Sequence, residues 1–164
     1  MTRVSVQASA GAEAPFGVEI DEANIFVFGA DTSKREALDT LIDAVADHNH
    51  IADKELFKLA LYHREAVMST GIGGGVAIPH VRFEGVPAPA VALGISREGI
   101  DYGALDNAPV HIIVLIAMPV GMEKEYLDLL AQVMLYLRAP HVRDALLKCE
   151  TRDQVAGILL GRQA

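Results

Sequence analysis

Between Arg64 and His80 the chain reads "REAVMSTGIGGGVAIPH", with four glycines in the five positions from Gly71 to Gly75 and a histidine closing an apolar run. Histidine is the side chain that changes charge near neutral pH, and its neutral ring is a nucleophile able to accept a phosphoryl group. Glycines leave backbone N–H groups unshielded, so Gly71, Gly73, Gly74 and Gly75, with Ser69 and Thr70 before them, can form a concavity that holds an anion. The guanidinium of Arg64 would grip phosphate oxygens in its planar fork and meet charge arriving at His80. Spacing alone leaves a second reading open, in which the glycines make a tight turn and His80 closes a strand.

Two familiar phosphate loops fail on this stretch. No Lys-Ser/Thr pair follows the glycines, as a Walker loop requires. A dinucleotide fingerprint starting at Gly71 would need its third glycine where Val76 stands, and Pro79 would interrupt the helix that should follow.

The elements that must carry Arg64 and His80 follow from pattern. "NIFVF" (Asn24 to Phe28) reads as a strand, and Ser33 with Glu36 has the form of a capping box opening a helix with the stripe Ala37, Leu38, Leu41, Ile42 and Val45. A second helix is predicted from about Asp53 to Val67, with Leu56, Ala60 and Leu61 on its inner face. Strands are predicted at Val76 to Pro79, Ala90 to Ser96 and Val110 to Met118. The last is apolar throughout, which suits a central strand covered on both faces. A long helix over roughly Glu123 to Leu137 should bury Leu127, Leu130, Val133 and Met134, and Glu123 and Glu125 in its first turn suit its dipole. Short helices are expected around His141 to Leu147 and from Thr151 to Leu160. The expected fold is a single α/β domain over residues 18–164, a sandwich of a mixed sheet flanked by helices, after a flexible lead-in over residues 1–17.

Composition narrows the function classes. The chain has 164 residues, 14 basic against 22 acidic, and a formal charge of −8, which argues against non-specific nucleic-acid binding. No window approaches the ~18 uninterrupted apolar residues of a membrane span, and "MTRVSVQASAGAEAPFG" lacks the core of a signal peptide. The single Cys149 excludes an internal disulfide and a cysteine-based zinc site. The expectation is a cytoplasmic protein that is not embedded in a membrane. His48 and His50 end a helix without a third metal ligand at suitable spacing, so no metal site is expected. Asp106-Asn107 reads as turn chemistry.

The segment His63 to His80 resembles the active-site segment of fructose/mannitol-type enzyme IIA domains of the bacterial phosphoenolpyruvate-dependent phosphotransferase system, and of their nitrogen-regulatory relatives. Arg64, Glu65, Ser69, Thr70, Gly71, Ile72, Gly73, Gly75, Ala77, Pro79 and His80 match the family pattern in order, and "LDNAPVHIIVLIAMP" resembles its Asp-Asn-x-Pro-Val lead into a buried strand. The resemblance covers about residues 18–161. It implies that His80 accepts a phosphoryl group from a histidine phosphocarrier protein, without metal or organic cofactor, and serves a transporter, kinase or permease component. Three positions depart from the pattern. Gly74 stands where Asn is usual, and Val81 where a small residue is usual. Tyr126 stands where a second histidine commonly assists the first. Tyr126 can hydrogen-bond a phosphoryl oxygen but carries no positive charge, and His111 is a candidate substitute. A non-transferring regulatory module of the same fold, and a small-anion sensor built on the glycine loop alone, are the competing readings. A carrier should hold His80 in a shallow depression with an apolar rim, including an exposed Ile72 and a partly exposed Val81 or Phe83.

Overall fold

A computed structural model of the chain describes residues 15–161. A 3-10 turn (Glu22–Asn24) leads into β1 (Ile25–Phe28), α1 (Lys34–His48) and α2 (Lys54–Val67). Then come β2 (Gly71–Gly73), β3 (Val76–Ala77), β4 (His80–Arg82), β5 (Ala90–Ile100) and β6 (Val110–Met118), followed by α3 (Glu123–Arg138), α4 (Pro140–Leu147) and α5 (Arg152–Leu159). The strand order is β1-β5-β6-β3-β2, with β4 also on β6. β5 and β6 run antiparallel, whereas β1 lies parallel to β5, and β3 and β4 lie parallel to β6.

The apolar run of β6 is explained by its position at the centre of a sheet covered on both sides. Alternate residues point to opposite faces. Ile112, Val114, Ile116 and Met118 pack with Leu129, Val133 and Leu137 of α3 and with residues of α4 and α5. Ile113, Leu115 and Ala117 pack against Leu38, Leu41 and Ile42 of α1 and Phe57 and Leu61 of α2. The mixed sheet between helices is the expected architecture. The capping box also forms: Ser33 Oγ accepts from Glu36 N at 3.1 Å, and the Ser33 N–H donates to Glu36 Oε1 at 2.9 Å.

Several local expectations are corrected. The glycine stretch is itself paired, as a hairpin of β2 and β3 turning through Gly74 and Gly75, both at positive φ. The strand expected from Val76 to Pro79 is broken after Ala77 and resumes at His80. Pro79 has no N–H to give a ladder. The register on β6 is nonetheless unbroken, with Ala77 opposite Ile113 and His80 opposite Ile116. β5 runs on to Ile100, past Ser96. The inner face of α2 is Phe57, Leu61 and Glu65, whereas Leu56 is exposed. On α3, Val133 is buried but Leu127 and Met134 face solvent. Of the expected lead-in, residues 1–14 lie outside the described residues. Phe16 belongs to the core, its ring edge-on to Tyr136 at 5.4 Å, because a large aromatic fills the space beside α3. Among the described residues no helix is long and apolar enough to cross a membrane.

Candidate functional site

The site is assembled where α2 ends and β4 begins. Arg64 lies in the last turn of α2, and its Nη1 donates to the Met68 carbonyl at 3.0 Å, closing its own helix. The next residue, Glu65, turns inward. Its Oε1 accepts from Thr70 Oγ1 at 2.6 Å, and its Oε2 accepts from the Thr70 N–H at 3.1 Å and from Lys34 Nζ at 2.9 Å. Thr70 has one hydroxyl hydrogen, already given to the carboxylate, so the buried Tyr102 hydroxyl donates to Thr70 Oγ1 at 2.8 Å. Burial pushes the Tyr102 phenol well above its usual range, which keeps that hydrogen in place. Lys34 Nζ also sits over the Tyr102 ring, 4.2 Å from its centroid. The clamped Thr70 then accepts the Ile78 N–H on its carbonyl at 3.0 Å.

The break at Ile78-Pro79 leaves the Ile78 carbonyl to His80, whose Nδ1 lies 2.6 Å away. A carbonyl only accepts, so Nδ1 carries the hydrogen and the Nε2 lone pair is free. The His80 pKa lies below the usual histidine value, because burial disfavours the charged ring. The Ile78 carbonyl opposes that shift, the Arg64 charge adds to it, and Glu65 opposes it. His80 is therefore a neutral nucleophile at physiological pH.

The ring opens into a depression of about 480 Å³ lined by Arg64, His80, Val81, Arg82, Val120 and Tyr126. Tyr126 comes from the first turns of α3, its ring centroid 5.6 Å from that of His80. Burial raises the Tyr126 pKa, while the charges of Arg82 and Arg64 both lower it. The structure thus brings Arg64, His80 and Tyr126 together.

It does not bring the other expected residues there. His111 sits beside Ser96, its Nδ1 donating to the Ser96 carbonyl at 2.9 Å. His80 pairs with Ile116, so His111 lies five residues away along β6, about 16 Å at ~3.3 Å per residue. It is a structural histidine and not an assisting one. The glycine turn also lines a different surface. The Gly71 N–H donates to Ser69 Oγ at 3.1 Å, and the Gly74 N–H donates to Asp106 Oδ2 at 3.2 Å. The carboxylate of Asp106 beside Gly73 and Gly74 is the wrong partner for a phosphate cradle. Gly75 packs against His111, Thr70 serves the Glu65 clamp, and the turn reading of the glycines is the one this geometry fits. Ile72 is exposed, but on a groove with Met134 and Leu135. Val81, half-buried, lines the His80 depression, and Phe83 lies beside Leu56 and Leu59. Among the described residues no group of His, Cys, Asp or Glu could hold a metal ion.

Residues 20–161 match the family described as "Phosphoenolpyruvate-dependent sugar phosphotransferase system, EIIA 2". The chain belongs to this family.

The relatives of this EIIA domain fall on both sides of the family. It is 33% identical over 77% of its length to the "PTS system fructose-specific EIIABC component" of Bacillus subtilis, of which it spans only 20%. It is likewise 33% identical over 80% of its length to a "Nitrogen regulatory protein" of Pseudomonas aeruginosa, covering 85% of that chain. The crystal structure of nitrogen regulatory protein IIA-Ntr from Neisseria meningitidis superposes with a TM-score of 0.76 at 26% identity, covering 85% of this chain and 95% of that one. Sequence reasoning missed three parts of the EIIA site: the Ile78 carbonyl, Arg82 and Val120. Only Arg82 left a readable sign, since alternate residues of a strand share a face and it follows His80 by two.

Proposed function

We propose that this EIIA domain is a phosphohistidine carrier of the phosphotransferase system, accepting a phosphoryl group on His80 Nε2 from a histidine phosphocarrier protein in the cytoplasm. The observation that carries this reading is the 2.6 Å approach of His80 Nδ1 to the Ile78 carbonyl at the floor of an open depression. In the Nδ1–H tautomer the Nε2 lone pair attacks phosphorus directly. The N–P bond of the donor phosphohistidine breaks as the Nε2–P bond forms, and the electron pair returns to the donor ring. No proton leaves His80, so no general base is needed. The phosphorylated ring becomes more acidic at Nδ1, and the Ile78 carbonyl stabilises the positive charge that develops there. Arg64, whose charge already acts on His80, is the phosphoryl-binding cation. No metal or organic cofactor takes part, because both partners are imidazoles sharing one phosphoryl group.

The group then passes to a sugar-permease component, or stays on His80 as a signal read by a regulated transporter or kinase. Fructose-specific and nitrogen-regulatory relatives match at the same 33% identity, which supports neither branch over the other. A non-transferring module is the less favoured reading, since His80 beside Tyr126 still opens into the depression.

The test is incubation with phosphoenolpyruvate, enzyme I and the histidine phosphocarrier, followed by intact-mass measurement and 31P NMR. One acid-labile phosphoryl group, absent from His80→Gln, is expected, with a 31P shift characteristic of the Nε2 isomer. Absence of any phosphoramidate on a folded wild-type chain would overturn the carrier reading.

A further inference from the structure

A phosphoryl group on His80 brings close to two negative charges into a depression where Arg64 supplies one cation and Tyr126 none. Arg82 lines the same depression. It follows His80 by two residues on β4, so both side chains leave the strand on the α3 side. Its guanidinium carbon lies 5.4 Å from the Tyr126 ring centroid, and its Nη1 donates to Glu123 Oε2 at 3.1 Å. Tyr126 and Glu123 occupy the same first turn of α3, so one helix end holds both the ring on which Arg82 rests and the carboxylate that pairs it.

We infer that Arg82 is a second phosphoryl-binding cation, held in reserve by Glu123 and handed to the phosphoryl oxygens when His80 is loaded. The inference rests on the carrier reading above. The charge of Arg64 acts on both His80 and Tyr126, and that of Arg82 acts on Tyr126. Arg82, resting on the Tyr126 ring in the same depression, is placed for the group that projects beyond the His80 ring. The exchange is inexpensive. Both members of the Arg82–Glu123 pair are about half exposed, at 45% and 58% of their side-chain surface, so the pair is weak and the released carboxylate returns to water. A phosphoryl dianion offers the fork-shaped guanidinium more charge and more acceptor oxygens than the carboxylate it leaves. Cation and tyrosine together would then supply what a histidine side chain supplies alone, with the charge and the hydrogen-bond donor on separate residues.

The experiment measures, at equilibrium, the partition of phosphoryl groups between the histidine phosphocarrier and this chain, together with a 31P pH titration of the loaded protein. Docking contacts change rates but not this partition, so the readout isolates the phosphoryl environment. Arg82→Gln should move the partition about fivefold toward the donor and raise the phosphoryl pKa by roughly half a unit. Arg82→Lys should recover most of both. Glu123→Gln, which releases Arg82, should move both quantities the opposite way. If wild type loads His80 but Arg82→Gln and Glu123→Gln match it in partition and titration, Arg82 has no part in holding the group and only this inference falls. If folded wild type carries no phosphoryl group at all, the carrier reading falls and this inference with it.

Discussion

Replacing Glu65 by Gln should cost this domain about 2–4 kcal/mol, through one side chain that never touches the phosphoryl group. The carboxylate is 6% exposed and takes three hydrogens, two from Thr70 and one from Lys34, with the Tyr102 hydroxyl oxygen 3.5 Å away. A glutamine keeps one carbonyl oxygen, enough for the Thr70 hydroxyl. Its NH2 then replaces Oε2 and faces the Thr70 N–H and the Lys34 ammonium, donor against donor. Two charge-assisted hydrogen bonds of about 1.5–3 kcal/mol each are lost. Lys34, with 30% of its side chain exposed, recovers part of its share by turning to water, whereas the Thr70 N–H has no other partner. The remainder corresponds to a fall of roughly 10 °C in Tm for a domain of this size. Urea unfolding with an unchanged m-value, supported by calorimetry, is the assay. Glu65→Gln should also be strongly non-additive with Thr70→Val, since both break the same cluster. A loss below about 0.5 kcal/mol, or full additivity, would refute the claim that this carboxylate organises the approach to His80.

Protonation of His80 abolishes its lone pair, so the loading rate should rise with pH through a midpoint below the usual histidine value of 6.5, and a midpoint at or above 6.5 would contradict the buried, uncharged ring. The same shift makes the fold lose stability as pH falls below 6.5, because the unfolded chain takes up that proton first; His80→Gln should flatten this part of the stability profile. Tyr126→Phe should shift the phosphoryl partition between two- and tenfold toward the donor, the range of one neutral hydrogen bond, and a partition equal to wild type would remove the hydroxyl from the site. Gly74→Ala meets no atom but forces alanine to positive φ, so it should cost about 1 kcal/mol and leave the phosphoryl partition unchanged. Gly71→Ala would place its Cβ 2.7 Å from that of Ala104 and 2.8 Å from its backbone, and should cost more, about 1–3 kcal/mol by urea unfolding.

The layers of the fold were legible because β6 is apolar throughout and the stripe on α1 has a clear helical period, and both are direct consequences of burial. The phase of α2 was not, since Leu56 and Ala60 have the same spacing as Phe57 and Leu61 and only the neighbouring sheet decides between them. His80 and Arg64 were readable as chemistry, and Tyr126 came from the family resemblance. The hairpin of glycines was hidden because strand signals are carried by side chains, and Gly71 to Gly73 pair through backbone alone. For the same reason the sequence there is compatible with a phosphate cradle, and it is Asp106, distant in sequence, that takes the Gly74 N–H and decides against it. The assisting role considered for His111 failed on register, which composition does not record.

The choice of tautomer at His80 rests on a main-chain oxygen, the Ile78 carbonyl, which takes the Nδ1 hydrogen. Where a carboxylate fixes a histidine's proton instead, as in a Ser-His-Asp triad, one substitution can remove it. No side-chain replacement at position 78 deletes a carbonyl. In the proposed carrier role this gives His80 a form of mutational robustness: residues around the depression, position 126 among them, can be exchanged without altering which nitrogen would receive the group. On that proposal, variation is confined to how tightly the phosphoryl group would be held and for how long.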